Sequence, residues 1–154
     1  MAAIADPGTQ VVLRRFLQYV LDRLIVFMAA LVAAALCVRA AIPLIVSGAP
    51  PMLFFWLPVG GFVVGALAAT VWVEVVAPLR SGGATPAMGW LGLRIQTVRG
   101  NPPSLGDLLL RSLLFAVDGL LMGLVGAVFI ALTPRHQRVG DIVTRTVVVR
   151  ADLS

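Results

Sequence analysis

The ionisable residues of this chain are few, and several of them stand inside or beside long apolar runs. Arg15 and Asp22 lie seven positions apart where the first apolar run begins, so a helix would place them on one face. Arg111 and Asp118 repeat this spacing in a later apolar run, and Glu74 lies near the end of another. Ionised groups near a membrane are costly unless they are paired. We therefore expect these five side chains either to neutralise one another or to mark a path for protons or cations.

Other chemistries lack the residues that they require. The single histidine, His136, and the single cysteine, Cys37, form no cluster that would bind a metal ion. Ser104 and Ser112 have no evident base, so no Ser–His–Asp arrangement indicates hydrolysis. A phosphate-binding loop of the GxxxxGKS/T type is excluded because the sequence contains no lysine. We expect no enzymatic activity, no cofactor and no resident metal.

The composition is typical of an integral membrane protein. Hydrophobic residues make up 60% of the 154 residues and the mean hydropathy is +1.00, whereas soluble domains contain about 45–50% apolar residues. All 12 basic residues are arginines, and the formal net charge is +5. The arginines flank the apolar runs and form no separate basic stripe. This placement favours signals of membrane orientation over nucleic-acid binding, and it makes membrane lipids an expected partner.

Two apolar segments are long enough to cross a bilayer. We expect residues 1–10 to be a disordered lead-in and residues 11–154 to form a single membrane domain. A helix over 11–23 should continue into a first span at Leu24–Val46, followed by the turn signal SGAPP and a second span at Met52–Leu79. Each span exceeds the ~20 residues that a crossing needs.

Glycine pairs occur in the second span and in a third apolar segment. Gly61 and Gly65 form a G-x-x-x-G pattern, which favours close packing of helices. In residues 105–133, Gly119 and Gly123 are candidates for the bend of a re-entrant helical hairpin. The hairpin would return the Arg-rich tail to the cytoplasm, in keeping with the positive-inside rule. A plain third span with an external tail is the alternative.

Two short β-branched stretches predict a small sheet outside the bilayer. LGLRIQTV precedes the turn signal RGNPP, and TRTVVV lies near the C-terminus. The predicted fold is therefore an all-α polytopic membrane protein with a two-stranded cytoplasmic β element. It has two full transmembrane helices and a third apolar segment, which is either a re-entrant hairpin or a third span.

The boundary charges are expected to pair between segments. Side chains seven positions apart make poor contacts within one helix, where good pairs are three or four apart. We expect Asp22 to meet Arg111 or an arginine of the 135–145 region. We expect Glu74 to meet Arg80 or Arg15. Such pairs would hold three apolar segments in one arrangement.

The chain resembles the RDD family of membrane proteins, which is named for one arginine and two aspartates. Arg15 and Asp22 match the first two of these residues in RRFLQYVLD, and Asp141 matches the third in TPRHQRVGDIVTRTVVV. The stretch ATPAMGWLGLRIQTVRGNPPSLGDLLLR is similar to the family's glycine-containing loop, which leads to an Arg-bearing apolar segment, here at Arg111. Gln18 stands where a small residue is usual, and Gly140 stands where histidine is frequent. Both departures count against a proton-handling role at these positions.

The resemblance implies a small polytopic membrane protein in a family that has no well-established common activity and is often considered for transport. Our first hypothesis is a non-enzymatic accessory or interaction subunit that packs against a larger membrane complex, such as a lipid-import system, another transporter or an envelope assembly. The second is a cation/proton-coupled carrier that acts as an oligomer, with Asp22 and Asp118 as titrating groups. We expect a multi-pass protein of a bacterial plasma (inner) membrane with a cytoplasmic N-terminus.

Overall fold

The structure is a computed structural model that describes residues 9–119 and 139–150. Gly123, the second arm of the expected hairpin and all but two residues of the expected lead-in lie outside the described residues. Asp118 belongs to a described helix, but its side chain lies outside the described part. The expected bend or crossing within 105–133 is therefore described only as far as Gly119.

The first helix, α1, runs without interruption through Thr9–Val46. Its 38 residues extend about 57 Å, nearly twice the ~30 Å of a bilayer's hydrocarbon layer. Its first two residues, 9 and 10, are the last two of the expected lead-in. The predicted helix over 11–23 and the first span are one element, so the charged N-terminal turns are a rigid extension of the span.

The second apolar segment is helical and changes its period near one end. The helix α2 covers Leu53–Val71, a π-helix covers Trp72–Val76, and α3 covers Ala77–Ser81. Glu74 lies at the centre of the π-helix. Single π-turns within α-helices occur frequently at functional sites. The sequence predicted the span but not its π-helical turn.

The helices α1 and α2 pack closely through small residues. A Cβ atom on Gly61 would collide with the Sγ atom of Cys37, and one on Gly65 would lie 2.6 Å from the Cβ of Ala33. At Gly65 only glycine fits without displacing the neighbouring helix, whereas at Gly61 the side chain of Cys37 would have to move. The G-x-x-x-G pair therefore lies in the contact between the two helices.

Most of the surface of these two helices remains apolar and exposed. Two helical stretches, Leu13–Val46 and Leu53–Ser81, are long and apolar enough to cross a membrane. Only 17% and 22% of their most apolar windows are buried, which is unlike the core helix of a soluble domain. The prediction of a mostly helical protein with two membrane helices is confirmed to this extent.

A small platform of short elements lies beside the charged end of α1. We define the platform as α4 (Pro86–Leu91), β1 (Leu93–Thr97), α6 (Val139–Val143) and β2 (Thr146–Arg150). The strands pair antiparallel, from Leu93 opposite Arg150 to Thr97 opposite Thr146. The predicted pairing of LGLRIQTV with TRTVVV is confirmed.

The helix α5 (Leu105–Gly119) joins the platform to the membrane helices. A compact core forms where the π-helix, α4, β1 and α5 meet, and it contains the buried side chains of Val75, Met88, Leu93, Ile95 and Leu108. On α5, Leu108 and Arg111 face inward, whereas Leu109 and Leu113 are exposed. This helix thus turns its arginine toward the protein and several leucines outward, the reverse of a helix that packs on a soluble core.

Candidate functional site

The carboxylate of Asp141 is the centre of a buried ion triad. Its Oδ2 atom lies 2.7 Å from Nη2 of Arg15, and its Oδ1 atom lies 2.7 Å from Nη1 of Arg111. The three side chains are between 1% and 8% exposed. An isolated charge at this depth would cost several kcal/mol, so the opposite charges stabilise one another. One carboxylate therefore joins α1, α5 and α6.

The two arginines of the triad hold equivalent places in the repeated pattern RFLQYVLD and RSLLFAVD. Arg15 opens the first copy and Arg111 opens the second, and both guanidinium groups reach the same carboxylate. The aspartate of the second copy, Asp118, has no described side chain. The pattern therefore corresponds to two helices that converge on one anion from different segments.

The carboxylate of Asp22 holds the start of α4. Its Oδ2 atom accepts hydrogen bonds from Nε2 of Gln18 at 2.6 Å and from Oγ1 of Thr85 at 2.7 Å. Its Oδ1 atom accepts a bond from the backbone N–H of Ala87 at 3.1 Å. The first N–H groups of a helix lack partners within that helix, so a buried carboxylate at this place satisfies one of them. Asp22 is 1% exposed.

The same helix, α1, also holds the end of α4. Nη1 of Arg14 donates a hydrogen bond to the backbone carbonyl of Leu91 at 3.0 Å. Because Asp22 meets the first residues of α4 and Arg14 meets its last residue, α4 runs antiparallel to α1. A carboxylate at a helix N-terminus and a guanidinium at its C-terminus both complement the helix dipole. The charges of α1 thus position the platform.

A second ion pair joins α1 to the π-helix. Nη2 of Arg23 lies 2.5 Å from Oε1 of Glu74, with side-chain exposures of 25% and 7%. Glu74 lies in the middle of the π-helical turn, so the irregular segment brings its carboxylate to the first helix. The pair sits one position beyond Asp22 along α1.

Several pairings differ from those expected from the sequence. Asp22 was expected to meet Arg111 or an arginine of the 135–145 region, and its described partners are Gln18, Thr85 and Ala87. Arg111 instead meets Asp141. Hydrogen bonds from neutral donors, and not an arginine, satisfy the Asp22 carboxylate.

The expected partner of Glu74 was also wrong. Arg80 or Arg15 was expected, and the structure places Arg23 there. Arg80 lies in α3, which continues from the π-helix that contains Glu74, and its side chain is exposed. Arg15 is paired with Asp141. Arg23 lies on the neighbouring helix at the level of Glu74 and pairs with its carboxylate.

Thr85 is a site residue that the sequence analysis missed. Its hydroxyl donates to Asp22 and accepts from the N–H of Met88 at 3.2 Å, so it caps α4 and binds α1 together. The signal was present, because a threonine followed by a proline is typical of a helix start. Pro86 occupies the first helical position as this pattern predicts.

The arrangement leaves three boundary carboxylates occupied by groups of the same chain. Asp22, Glu74 and Asp141 each accept contacts from other elements, and each is at most 7% exposed. Among the described residues, no group of three or more His, Cys, Asp or Glu side chains could hold a metal ion. Chemically, such a network can fix the relative positions of α1, α4, α5, α6 and the π-helix.

Comparison with protein families identifies the chain. The sequence model of the RDD family matches residues 9–145. The chain belongs to the RDD family. All members of the triad and Asp22 lie within the matched region of this RDD protein, so the network is part of the family domain. Searches of curated proteins and of solved structures return no significant match.

Proposed function

We propose that this RDD protein is a non-enzymatic accessory subunit that packs against a larger membrane transporter or envelope assembly. The observation that carries the proposal is that three carboxylates near the membrane boundary are already bound by other groups of the same chain. Asp141 is held by two arginines, Glu74 by one, and Asp22 by three hydrogen-bond donors. Groups engaged in this way stabilise an arrangement of helices and are poorly placed to bind a passing ion.

The outward faces of α1 and α2 support the proposal. Side chains such as Leu36, Val64 and Leu67 are 62%, 66% and 63% exposed. The two helices cover each other on one side only, so their other faces require lipid or the helices of a partner. On α2, a Cβ atom on Gly60 would meet nothing within 4 Å, so a partner helix can approach closely there.

The distribution of charge supports an orientation with the N-terminus and the platform in the cytoplasm. The platform and the connections that follow β1 and precede β2 carry Arg94, Arg99, Arg145 and Arg150. The N-terminal turns of α1 carry Arg14, Arg15 and Arg23. Loops on the cytoplasmic side carry an excess of arginine and lysine. Cysteine-accessibility labelling of an exposed position such as Ser81 in intact cells tests this orientation.

The test of the accessory role is purification from native membranes in a mild detergent. We expect a larger membrane protein to co-purify in a fixed stoichiometry. A homo-oligomer that carries a pH-dependent cation flux in vesicles would contradict the proposal. The substitution Gly60→Leu should remove the partner without lowering the abundance of the chain, because the position faces outward. Gly89→Leu is the matched control, since Gly89 is also exposed and unobstructed but lies on α4.

A second candidate function, a cation/proton-coupled carrier, is favoured by one observation. Glu74 is a buried carboxylate within a π-helical turn of an apolar span. Ionisable residues in such spans often mark ion paths, and π-turns are frequent at functional sites. If this candidate is correct, Glu74→Gln abolishes cation flux in proteoliposomes and leaves the folded protein at normal abundance. If the accessory role is correct, neither the unaltered chain nor the Glu74→Gln variant carries a cation flux.

A further inference from the structure

One end of the two-stranded sheet combines exposed arginines with exposed apolar side chains. The backbone N–H of Val98 donates to the carbonyl of Arg145 at 2.9 Å, and the N–H of Arg145 donates to the carbonyl of Ile142 at 3.2 Å. These bonds bring the turn after β1 next to the turn before β2. We define the sheet tip as Val98, Arg99, Ile142, Val143 and Arg145, all of which are exposed.

Within the described part of the chain, the positive charge of the sheet tip has no fully exposed carboxylate beside it. Asp141 adjoins the tip in sequence, but its carboxylate is 1% exposed and is held by Arg15 and Arg111. Among residues whose side chains the structure describes, four arginines (Arg39, Arg80, Arg99 and Arg145) are exposed and no carboxylate is. Among these described residues, internal contacts bury Asp22, Glu74 and Asp141, whereas Asp107 is half-buried and accepts hydrogen bonds from Ser104.

The backbone at Arg145 is unfavourable for an arginine. Its φ angle is 52°, and it is the only non-glycine residue with a positive φ in the described part of the chain. Side chains with a Cβ atom are destabilised in this region, and glycine is the residue that suits it. An exposed arginine at this position lowers stability, so its side chain is expected to serve an interaction outside the fold.

The sheet tip lies beside the charged end of α1, where the candidate membrane span begins. Asp141, beside Ile142, contacts Arg15 of α1. Next to Arg15 on α1, Phe16 and Leu17 are exposed apolar side chains, so the lipid-facing surface of α1 extends to this level. Apolar side chains between basic ones are typical of surfaces that rest at the boundary of headgroups and acyl chains.

We propose that the sheet tip binds the anionic phospholipid headgroups of the surrounding bilayer. Arg99 and Arg145 contact the phosphates, and Val98, Ile142 and Val143 enter the interfacial layer. A phosphate is the natural counter-ion for an uncompensated arginine at this depth. An acidic loop of a protein would match the charge but not the three exposed apolar side chains. The inference goes beyond the accessory role and does not depend on it, because it requires only the chain and its lipid.

The test is native mass spectrometry of the purified chain from micelles containing equal amounts of phosphatidylglycerol and phosphatidylcholine. The measured quantity is the ratio of the two bound lipids. We expect phosphatidylglycerol to be favoured by the unaltered chain. In the double variant Arg99→Gln/Arg145→Gln, the ratio of bound phosphatidylglycerol to phosphatidylcholine should fall by roughly fivefold for each arginine. Arg39→Gln removes the same charge from an exposed position on α1 away from the tip, and its ratio should stay within about twofold of the original.

Two further variants separate lipid binding from folding. Arg145→Lys keeps the charge and should keep the preference. Arg145→Gly suits the positive φ angle of the backbone, so the protein should remain folded. The ratio of bound phosphatidylglycerol to phosphatidylcholine should still fall by about fivefold. The proposal is overturned if the unaltered chain shows no preference, or if Arg39→Gln lowers the ratio as much as the tip variants do. It is also overturned if the tip variants lose a co-purifying protein while their ratio of bound lipids stays unchanged. That result would indicate that the sheet tip binds an acidic protein surface. The lipid assay needs no partner, so its failure is distinct from failure of the accessory role.

Discussion

Arg15 and Asp141 are separated by 126 positions in the sequence, and their side chains meet at 2.7 Å in the interior of the protein. Arg111 reaches the same carboxylate from α5. The contact therefore links the beginning of the first helix to the last short helix before β2. It stabilises the folded chain because the two ends of the family domain cannot separate without exposing or stranding charges.

Asp141→Asn should be the most damaging substitution in the triad. It leaves Arg15 and Arg111 buried beside a neutral amide, and a stranded buried charge costs about 3–5 kcal/mol. Arg15→Leu should be milder, because Asp141 keeps its contact with Arg111. The amount of folded protein in membranes and the midpoint of unfolding in mild detergent measure both effects. An equal loss for the two variants would contradict the triad as described.

Thr85→Val should loosen α4 from α1. The valine can neither donate to Asp22 nor accept from the N–H of Met88. A buried polar group left without its partner, together with a lost helix cap, costs about 1–3 kcal/mol. Thr85→Ser retains the hydroxyl and is the matched control. If serine and valine prove equally destabilising, the hydroxyl has no role and the described cap is wrong.

Gly65→Ala should separate α1 and α2. The new methyl group would lie 2.6 Å from the Cβ of Ala33 and 3.2 Å from the Cα of Ala30, and neither atom can move without its helix. Overpacking of this kind costs about 1–3 kcal/mol. Gly60→Ala meets nothing within 4 Å, and it should be neutral or gain up to about 1 kcal/mol from helix propensity. Unfolding by a denaturing detergent compares the two, and a reversed order would contradict this helix contact.

The long elements were predictable because their signals are local. Apolar length alone indicated both membrane helices, and two β-branched runs, the first followed by the turn signal RGNPP, indicated the two strands. Gly61 and Gly65 also carried a short-range pattern that corresponds to the close contact of α1 and α2. In each case neighbouring residues contain the relevant information.

The partners of the charges were less predictable because they depend on long-range geometry. The π-helical turn rotates Glu74 toward Arg23, and a hydrophobic pattern does not reveal an extra residue in one turn. Asp22 was assigned to an arginine because charges were matched with charges, whereas neutral donors of Gln18, Thr85 and Ala87 surround it. The Thr85–Pro86 helix start was the one local signal that would have suggested this arrangement.

The central claim is that the buried triad holds helices together and handles no cargo. The most direct measurement compares Asp141→Asn with the uncharged triple variant Arg15→Met/Arg111→Met/Asp141→Leu, in folded yield and in co-purification with the partner. Replacing a whole buried ion network by apolar side chains is often neutral or stabilising. We predict that the triple variant is folded and co-purifies with the partner. The Asp141→Asn variant should give little folded protein. A triple variant that folds at normal yield but loses the partner, or one no more stable than Asp141→Asn, would contradict the claim.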